Sequence, residues 1–162
     1  MKDAMLDMDL FFMREALKEA QVAFDEDEVP VGCVIVHKRK LIARAHNQIE
    51  RLKDPTAHAE MLALTAAANT LEMKWLNQAS VYVTIEPCAM CSGALVLARV
   101  EKLFYGADDP KTGSCGSVFN IIDNPRLNHR VKVRKGLLAE ECAAMVSGFF
   151  AKKRAKAAAQ GN

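Results

Sequence analysis

His58-Ala59-Glu60 and Pro87-Cys88-Ala89-Met90-Cys91 contain the residue types from which a metal-assisted hydrolysis can be built. His58, Cys88 and Cys91 are zinc-type ligands, and Glu60 is a carboxylate left over. A metal held by three protein groups keeps its fourth position for water, which distinguishes a catalytic zinc from a structural one. Cys88 and Cys91 stand three apart, so on a helix both sulfurs share one face, about a turn from each other. Pro87 suits the first helical position, which has no N–H to lose. Both thiols then lie near a helix N-terminus, whose dipole favours thiolate. Two thiolates offset the charge of the ion, so a neighbouring base becomes useful. Glu60 can take a proton from water and deliver it to the substrate and its leaving group. A pKa raised by partial burial would suit both roles. His58 and Glu60 diverge by roughly 200° on a regular helix, so they can line one pocket only at a helix start. Thr56, just upstream, is the expected N-cap.

Other readings compete. A lone C-x-x-C is also a structural zinc knuckle or a redox pair. A structural zinc needs a fourth ligand, and Cys33, Cys115 and Cys142 are the candidates. A redox motif would not need the preceding Pro87 or the remote His58 and Glu60.

The elements that must position these groups fit one domain spanning residues 1–162, long enough for a real core. With 51% hydrophobic and 26% charged residues and a net charge of +2, the composition is that of a soluble globular protein and does not by itself imply nucleic-acid binding. No apolar run approaches the roughly 18 residues of a membrane span. Acids at Asp3, Asp7 and Asp9 deny the N-terminus the form of a secretory signal, and the expected location is the cytoplasm. Five cysteines, an odd count, argue for metal rather than a disulfide framework.

Residues 7–24 read as an amphipathic helix on Leu10, Met13, Leu17, Ala20 and Phe24. Val31 to His37 and Leu41 to His46 read as a hairpin turning at Lys38-Arg39-Lys40, followed by polar loop to Pro55. A helix over 57–69, a strand over 80–85, a helix over 88–98 and a strand over 102–105 come next. Gly106 to Ser117 is loop, 118–129 mixes a short helix with a turn, 131–134 is a short strand, and 138–158 is a helix with a basic, fraying end. This order predicts a three-layer α/β/α sandwich around a central mixed five-stranded sheet.

The paired H-x-E and P-C-x-x-C blocks are the general signature of zinc deaminases acting on nucleobases. The chain resembles the cytidine-deaminase-like superfamily and, within it, the bacterial tRNA-specific adenosine deaminases. Residues carrying the likeness are Glu28 to Gly32, Asn47, Asp54 to Glu60, Glu86 to Ala94, Tyr105 to Ala107, Asp109, Lys111 to Gly113, Gly116-Ser117, Asn128-His129, Gly136, Glu140 to Cys142 and Phe149-Phe150. The resemblance implies hydrolysis of adenosine to inosine at the wobble position of a tRNA anticodon, one Zn2+ per chain, and a homodimer holding the anticodon stem-loop. It implies that Asn47 bonds the target nucleotide and that Ala59 offers its backbone to the flipped base. Val29 would pack on the base, Asp109 would contact RNA sugar or backbone, Lys111 would sit near phosphate, and Phe149 beside a flanking base. Two features depart from the pattern: Asp108-Asp109-Pro110 brings acids into a loop meant to face a polyanion, and Cys115 stands where a small residue is usual.

The residues alone give blander readings elsewhere. Phe149 and Phe150 before Lys152-Lys153-Arg154 could stack bases beside phosphate, but two Phe on an apolar helix face are usually core. His37 and His46 are surface or hydrogen-bonded residues, His129 serves structure or phosphate, Trp75 caps the core, and Cys33 and Cys142 are buried thiols. Two rivals to the wobble deaminase stay open: a deaminase of a free base or nucleoside of guanine or cytosine type, and a zinc-stabilised RNA-binding module with a closed metal shell.

Overall fold

The computed structural model describes residues 1–161. β1 (Gly32–His37) pairs antiparallel with β2 (Lys40–His46) and with β3 (Ala79–Ile85). β4 (Lys102–Ala107) lies parallel to β3, and β5 (Lys132–Lys135) lies parallel to β4, giving the order β2-β1-β3-β4-β5. This is the mixed five-stranded sheet that the element order predicts. β1 runs apolar from Cys33 to Val36, as suits a strand covered on both faces. Cys33 and Ile35 enter one core layer while Val34 and Val36 enter the other, following the two-residue period of a strand. The edge strand β5 is exposed throughout and rich in Lys and Arg, which discourages pairing with a further strand.

Helices α1 (Lys2–Asp25) and α5 (Ala139–Ala159) cover one face, where Phe12, Met13 and Cys142 meet Val34, Tyr82 and Phe104. After the short α2 (Ile49–Leu52), α3 (Ala59–Leu71) and α4 (Ala89–Leu97) cover the other face, where Ala63, Ala67 and Leu95 meet Ile35, Val81, Val83 and Leu103. Met13, Ile35, Leu95 and Leu103 are fully buried, and each contributes about 1.5–3 kcal/mol by leaving water. α1 lies directly on β1: a Cβ at Gly32 would overlap the Ala16 carbonyl oxygen, so only glycine admits this approach. The β1–β2 hairpin turns on Lys38 and Arg39, both at positive φ (49° and 65°), the geometry of a type I′ turn.

Several boundaries differ from expectation. α1 starts at Lys2 rather than near residue 7, because its exposed first turns carry helix formers without an apolar stripe. The expected loop over 47–55 contains α2. Residues 118–129 hold turns and no helix. There Asn120 accepts the Asp123 N–H and Asn124 accepts the Arg126 N–H, so side chains take the amides that helix formation would need. Trp75 is exposed between Lys74 and Arg99 rather than capping the core. Cys33 and Cys142 are buried, and the His46 ring nitrogens lie 3.1 Å from Glu19 and 2.9 Å from Glu26. No helix among the described residues is long and apolar enough to cross a membrane.

Candidate active site

His58 is the N-cap of α3 and Cys88 the N-cap of α4, both with extended backbone (ψ 151° and 179°). Two helix N-termini therefore meet at the site. Thr56 is not the cap: its N–H and hydroxyl both donate to Asp54 Oδ1, forming a turn that delivers the chain to His58. Pro87 is likewise displaced from the first helical position, which belongs to Ala89. The offsets help the chemistry. An N-cap residue is outside the helical φ/ψ region, so His58 and Glu60 escape the divergence of a regular helix.

His58 Nδ1 lies 3.6 Å from both Cys88 Sγ and Cys91 Sγ, and the donor atoms of the three residues all lie within 4.8 Å of one another. Tetrahedral bonds of about 2.3 Å to sulfur and about 2.0–2.1 Å to nitrogen separate N from S by about 3.6 Å. The trio thus fits an ion of that kind without rearrangement. Cys33, Cys115 and Cys142 do not join the group, which among the described residues contains His58, Cys88 and Cys91 alone. The group offers three donors to a metal, and among the described residues the structural-zinc alternative lacks its fourth.

Hydrogen bonding from Cys91 brings the Cys88 thiol down to about 4, against the opposing effect of burial and with help from the His58 ring. The same bond, then burial, pushes Cys91 up. The Cys88 bond raises His58, more than burial lowers it. A divalent ion between these groups displaces the protons they share. Glu60 is 4% exposed, and burial lifts its carboxyl above the ordinary range, as a group that gains and loses protons requires.

These groups open onto a cavity of about 210 Å³ lined by Val29, Val31, Asn47, Ile49, His58, Glu60, Ile85, Glu86, Cys88, Asp109 and Thr112. That is less than the roughly 300–1,000 Å³ that encloses a whole drug-sized ligand, and it suits one flat base between apolar walls. A larger hollow of about 620 Å³ adjoins it through Val29 and Ile49 and is bordered by Arg51, Phe149, Phe150 and Lys153 among others.

The remaining expected site residues are distributed unevenly. Val29, Asn47 and Asp109 line the cavity. Asn47 is buried, and its Oδ1 accepts the Ala59 N–H at 2.8 Å. The first amide of α3 is therefore engaged within the chain, and Ala59 does not line the cavity. Asp109 turns its carboxylate onto its own loop, accepting the Lys111 and Thr112 N–H groups at 3.0 and 3.2 Å. Lys111 is exposed outside the cavity. Phe149 is 3% exposed and packs edge-on against Phe24, while Phe150 is the exposed ring. Phe149 is thus a packing residue first, bordering only the neighbouring hollow. Lys153 pairs with Asp27, and His129 bonds the Val100 carbonyl at 2.7 Å in a structural role.

Two supporting carboxylates escaped sequence reasoning. Glu28 is buried and accepts the Glu50 and Arg51 N–H groups at 3.1 and 2.7 Å, capping α2 from a distance and holding Ile49 opposite Val29. Glu86 is buried and holds the loop after β4. Their only sequence signal is an acid beside each motif, since the partners lie more than twenty residues away.

The sequence model of the MafB19-like deaminase family matches residues 8–154. A tRNA-specific adenosine deaminase of Aquifex aeolicus (strain VF5) is 53% identical over 144 residues, 89% of this chain and 95% of that one. The chain belongs to the tRNA-specific adenosine deaminases. A second such deaminase, from Bacillus subtilis (strain 168), is 47% identical over 91% of this chain and 92% of its own length. A solved structure from work on A-to-I editing by tRNA:A34 deaminases at the wobble position superposes with a TM-score of 0.81 at 41% identity, covering 83% of this chain and 98% of that one. A guanine deaminase from Nitrosomonas europaea shares the fold at 24% identity, with a TM-score of 0.71 over 86% of this chain and 83% of that one. The α/β/α layering is thus common to deaminases of different substrates, and identity separates the tRNA branch from the free-base alternative.

Proposed function

We infer that this chain hydrolyses adenosine at the wobble position of a tRNA anticodon to inosine, releasing ammonia. The observation that carries the reading is a three-donor metal group beside a buried carboxylate, opening on a cavity for one base. His58, Cys88 and Cys91 would hold one zinc ion per chain, which supplies Lewis acidity that makes water at its open position a nucleophile near neutral pH. Glu60 would take one proton from the attacking water and pass it to the ring nitrogen beside the reacting carbon, then take the remaining proton of the added hydroxyl and deliver it to the departing amine, which leaves as ammonia. Its buried position keeps competing solvent away, and its raised pKa lets one carboxyl serve as base and then acid. Val29, Val31, Ile49 and Ile85 clamp the base, and Asn47, its carbonyl engaged by Ala59, offers its amide N–H groups to a ring nitrogen.

A base reaches such a cavity only from a single-stranded loop, whose nucleotides can be unstacked. The adjoining hollow, with exposed Phe150 and the cation Arg51, supports a path for flanking nucleotides, and Phe149 contributes there from beneath. Lys111, exposed outside the cavity, supplies positive charge for phosphate within the loop that Asp109 organises. The enzyme is further proposed to be a cytoplasmic homodimer. Leu97 on α4 and Val118 and Phe119 on the following crossover expose apolar surface for a second copy to cover.

The test is to incubate the purified protein with total tRNA and sequence for inosine. Glu60→Ala should abolish deamination while one zinc per chain stays bound. Activity retained in that variant would remove Glu60 from the mechanism, and turnover of free adenosine in place of anticodon stem-loop RNA would overturn the substrate.

A further inference from the structure

Glu86 precedes Pro87 and Cys88, is 3% exposed, and takes no part in the proton transfers above. Its Oε1 accepts the Asp109 N–H at 3.2 Å and the Ser117 hydroxyl at 2.5 Å, and its Oε2 accepts the Cys115 and Ser117 N–H groups at 3.0 and 3.2 Å. All these donors are neutral and belong to the loop that follows β4. The loop is also pressed down on the carboxylate: a Cβ at Gly113 would overlap it. Main-chain bonds close the same joint, from Glu86 N–H to Ala107 O and from Ser114 N–H to Pro87 O, both 2.9 Å. The loop is internally braced by Asp109, which bonds the Lys111 and Thr112 amides and the Thr112 hydroxyl. It is therefore tied together as one unit, and Asp109 and Thr112 are its contribution to the cavity wall.

We propose that Glu86 is the positioning residue of the substrate wall, fixing the loop that carries Asp109 and Thr112 at a set distance from the metal-ligand turn. Glu86 thereby governs how tightly the RNA around the target base is held, and leaves the proton chemistry of Glu60 alone. The proposal rests on the tRNA reading. Its geometry makes an unusual demand on substitution. Both carboxylate oxygens face backbone N–H groups, so glutamine, in either orientation, points its own NH2 at a donor. An isosteric neutral residue cannot stand in for Glu86.

The experiment is steady-state deamination of an anticodon stem-loop RNA by metal-loaded Glu86→Gln, with amide hydrogen exchange on the same protein. One opposed hydrogen bond of this kind costs enough to raise KM about tenfold or more, with kcat within about threefold of wild type and metal content unchanged. The Cys115 and Ser117 amides should exchange faster while those of β3 and α4 keep their protection. Ser117→Ala, which removes one donor from an exposed residue, should raise KM in the same direction by a smaller factor. A folded, metal-loaded Glu86→Gln with unchanged KM, or one that loses kcat at constant KM, overturns the proposal. If Glu86→Gln fails to fold or to hold metal, an unchanged KM in Ser117→Ala overturns it. Wild-type turnover in the same assay tests the tRNA reading separately, and the exchange measurement tests the clamp whatever the substrate.

Discussion

Asn47 makes a structural bond and carries a proposed contact to the base, and substitution can separate the two. Its Oδ1 accepts the N–H of Ala59 at 2.8 Å, and both residues are buried. Ala59 opens α3 between His58 and Glu60. Asn47→Ala leaves that amide buried without a partner, at a cost of about 1–3 kcal/mol. For a chain of this size each kcal/mol moves Tm by about 2–4 °C, so Tm should fall by roughly 2–12 °C. Asn47→Asp keeps an acceptor for Ala59 and places its charge at the N-terminus of α3, a gain of about 0.3–1 kcal/mol set against the burial of a carboxylate. Its Tm should lie between those of Asn47→Ala and wild type. Neither variant can donate to the base. A lost bond of about 1–3 kcal/mol lowers kcat/KM about 5- to 150-fold, and the aspartate should be no better than the alanine. Differential scanning calorimetry and stem-loop deamination kinetics on the three proteins give the answer. If Asn47→Asp regains activity in step with Tm, Asn47 is only a remote helix cap and its role toward substrate is refuted. If Asn47→Ala leaves Tm unchanged, the argument from the buried amide fails.

Metal affinity should weaken on acidification, because Cys91 and His58 hold protons more tightly than free groups do and both must release them to bind. Each displaced proton weakens binding about tenfold per pH unit, and competition against a chelator from pH 8 to pH 6 measures the slope; a flat profile would contradict the shared-proton arrangement. Replacing the hairpin pair by Lys38→Asn with Arg39→Gly should stabilise by about 1 kcal/mol, since left-handed backbone costs an ordinary residue roughly 1–2 kcal/mol and glycine returns part of that as chain entropy. Thermal unfolding would register a gain of about 2–4 °C, and a loss would mean that Lys38 and Arg39 make contacts that outweigh the backbone strain. Cys88→Ser should lose stoichiometric metal and activity together, whereas Cys115→Ser should keep both, as read by elemental analysis and inosine formation; metal loss from Cys115→Ser would restore the closed-shell alternative.

The strands and the metal residues were legible because their signals are local. Cys33 to Val36 is apolar at every position and β-branched from Val34 onward, so a buried strand is its natural form. His58, Glu60, Cys88 and Cys91 declare themselves by chemical type and spacing. The starts of α3 and α4 lie two residues and one residue beyond the expected positions, and for α3 the reason is a cap that is not local. The α3 amide is satisfied by Asn47, twelve residues upstream, and α2 is capped by Glu28 at a separation of more than twenty. Thr56 has the composition of an N-cap, yet its hydroxyl bonds Asp54. The resemblance implies that Phe149 faces RNA, but helical spacing does not fix which of two adjacent rings faces inward. The contact with Phe24 on α1 decides it, and that contact joins opposite ends of the sequence.

Placing ligands at N-caps has a structural cost that the surrounding residues offset. Neither His58 nor Cys88 makes a side-chain cap bond, and replacing a good cap by a residue that cannot cap destabilises a helix by about 0.5–2 kcal/mol. A serine or aspartate at either position would repair the helix and remove a metal donor. The fold instead imports an acceptor for α3 from Asn47. At α4 the low pKa of Cys88 provides negative charge beside the helix N-terminus, where the dipole favours it. Because the Asn47 bond ends on the amide between His58 and Glu60, the repair also fixes the orientation of those two side chains relative to each other. The side chain that stabilises α3 therefore also lines the cavity proposed for the base, so a substitution that removes the acceptor disturbs helix and cavity together, and only one that keeps the acceptor, as aspartate does, parts the two.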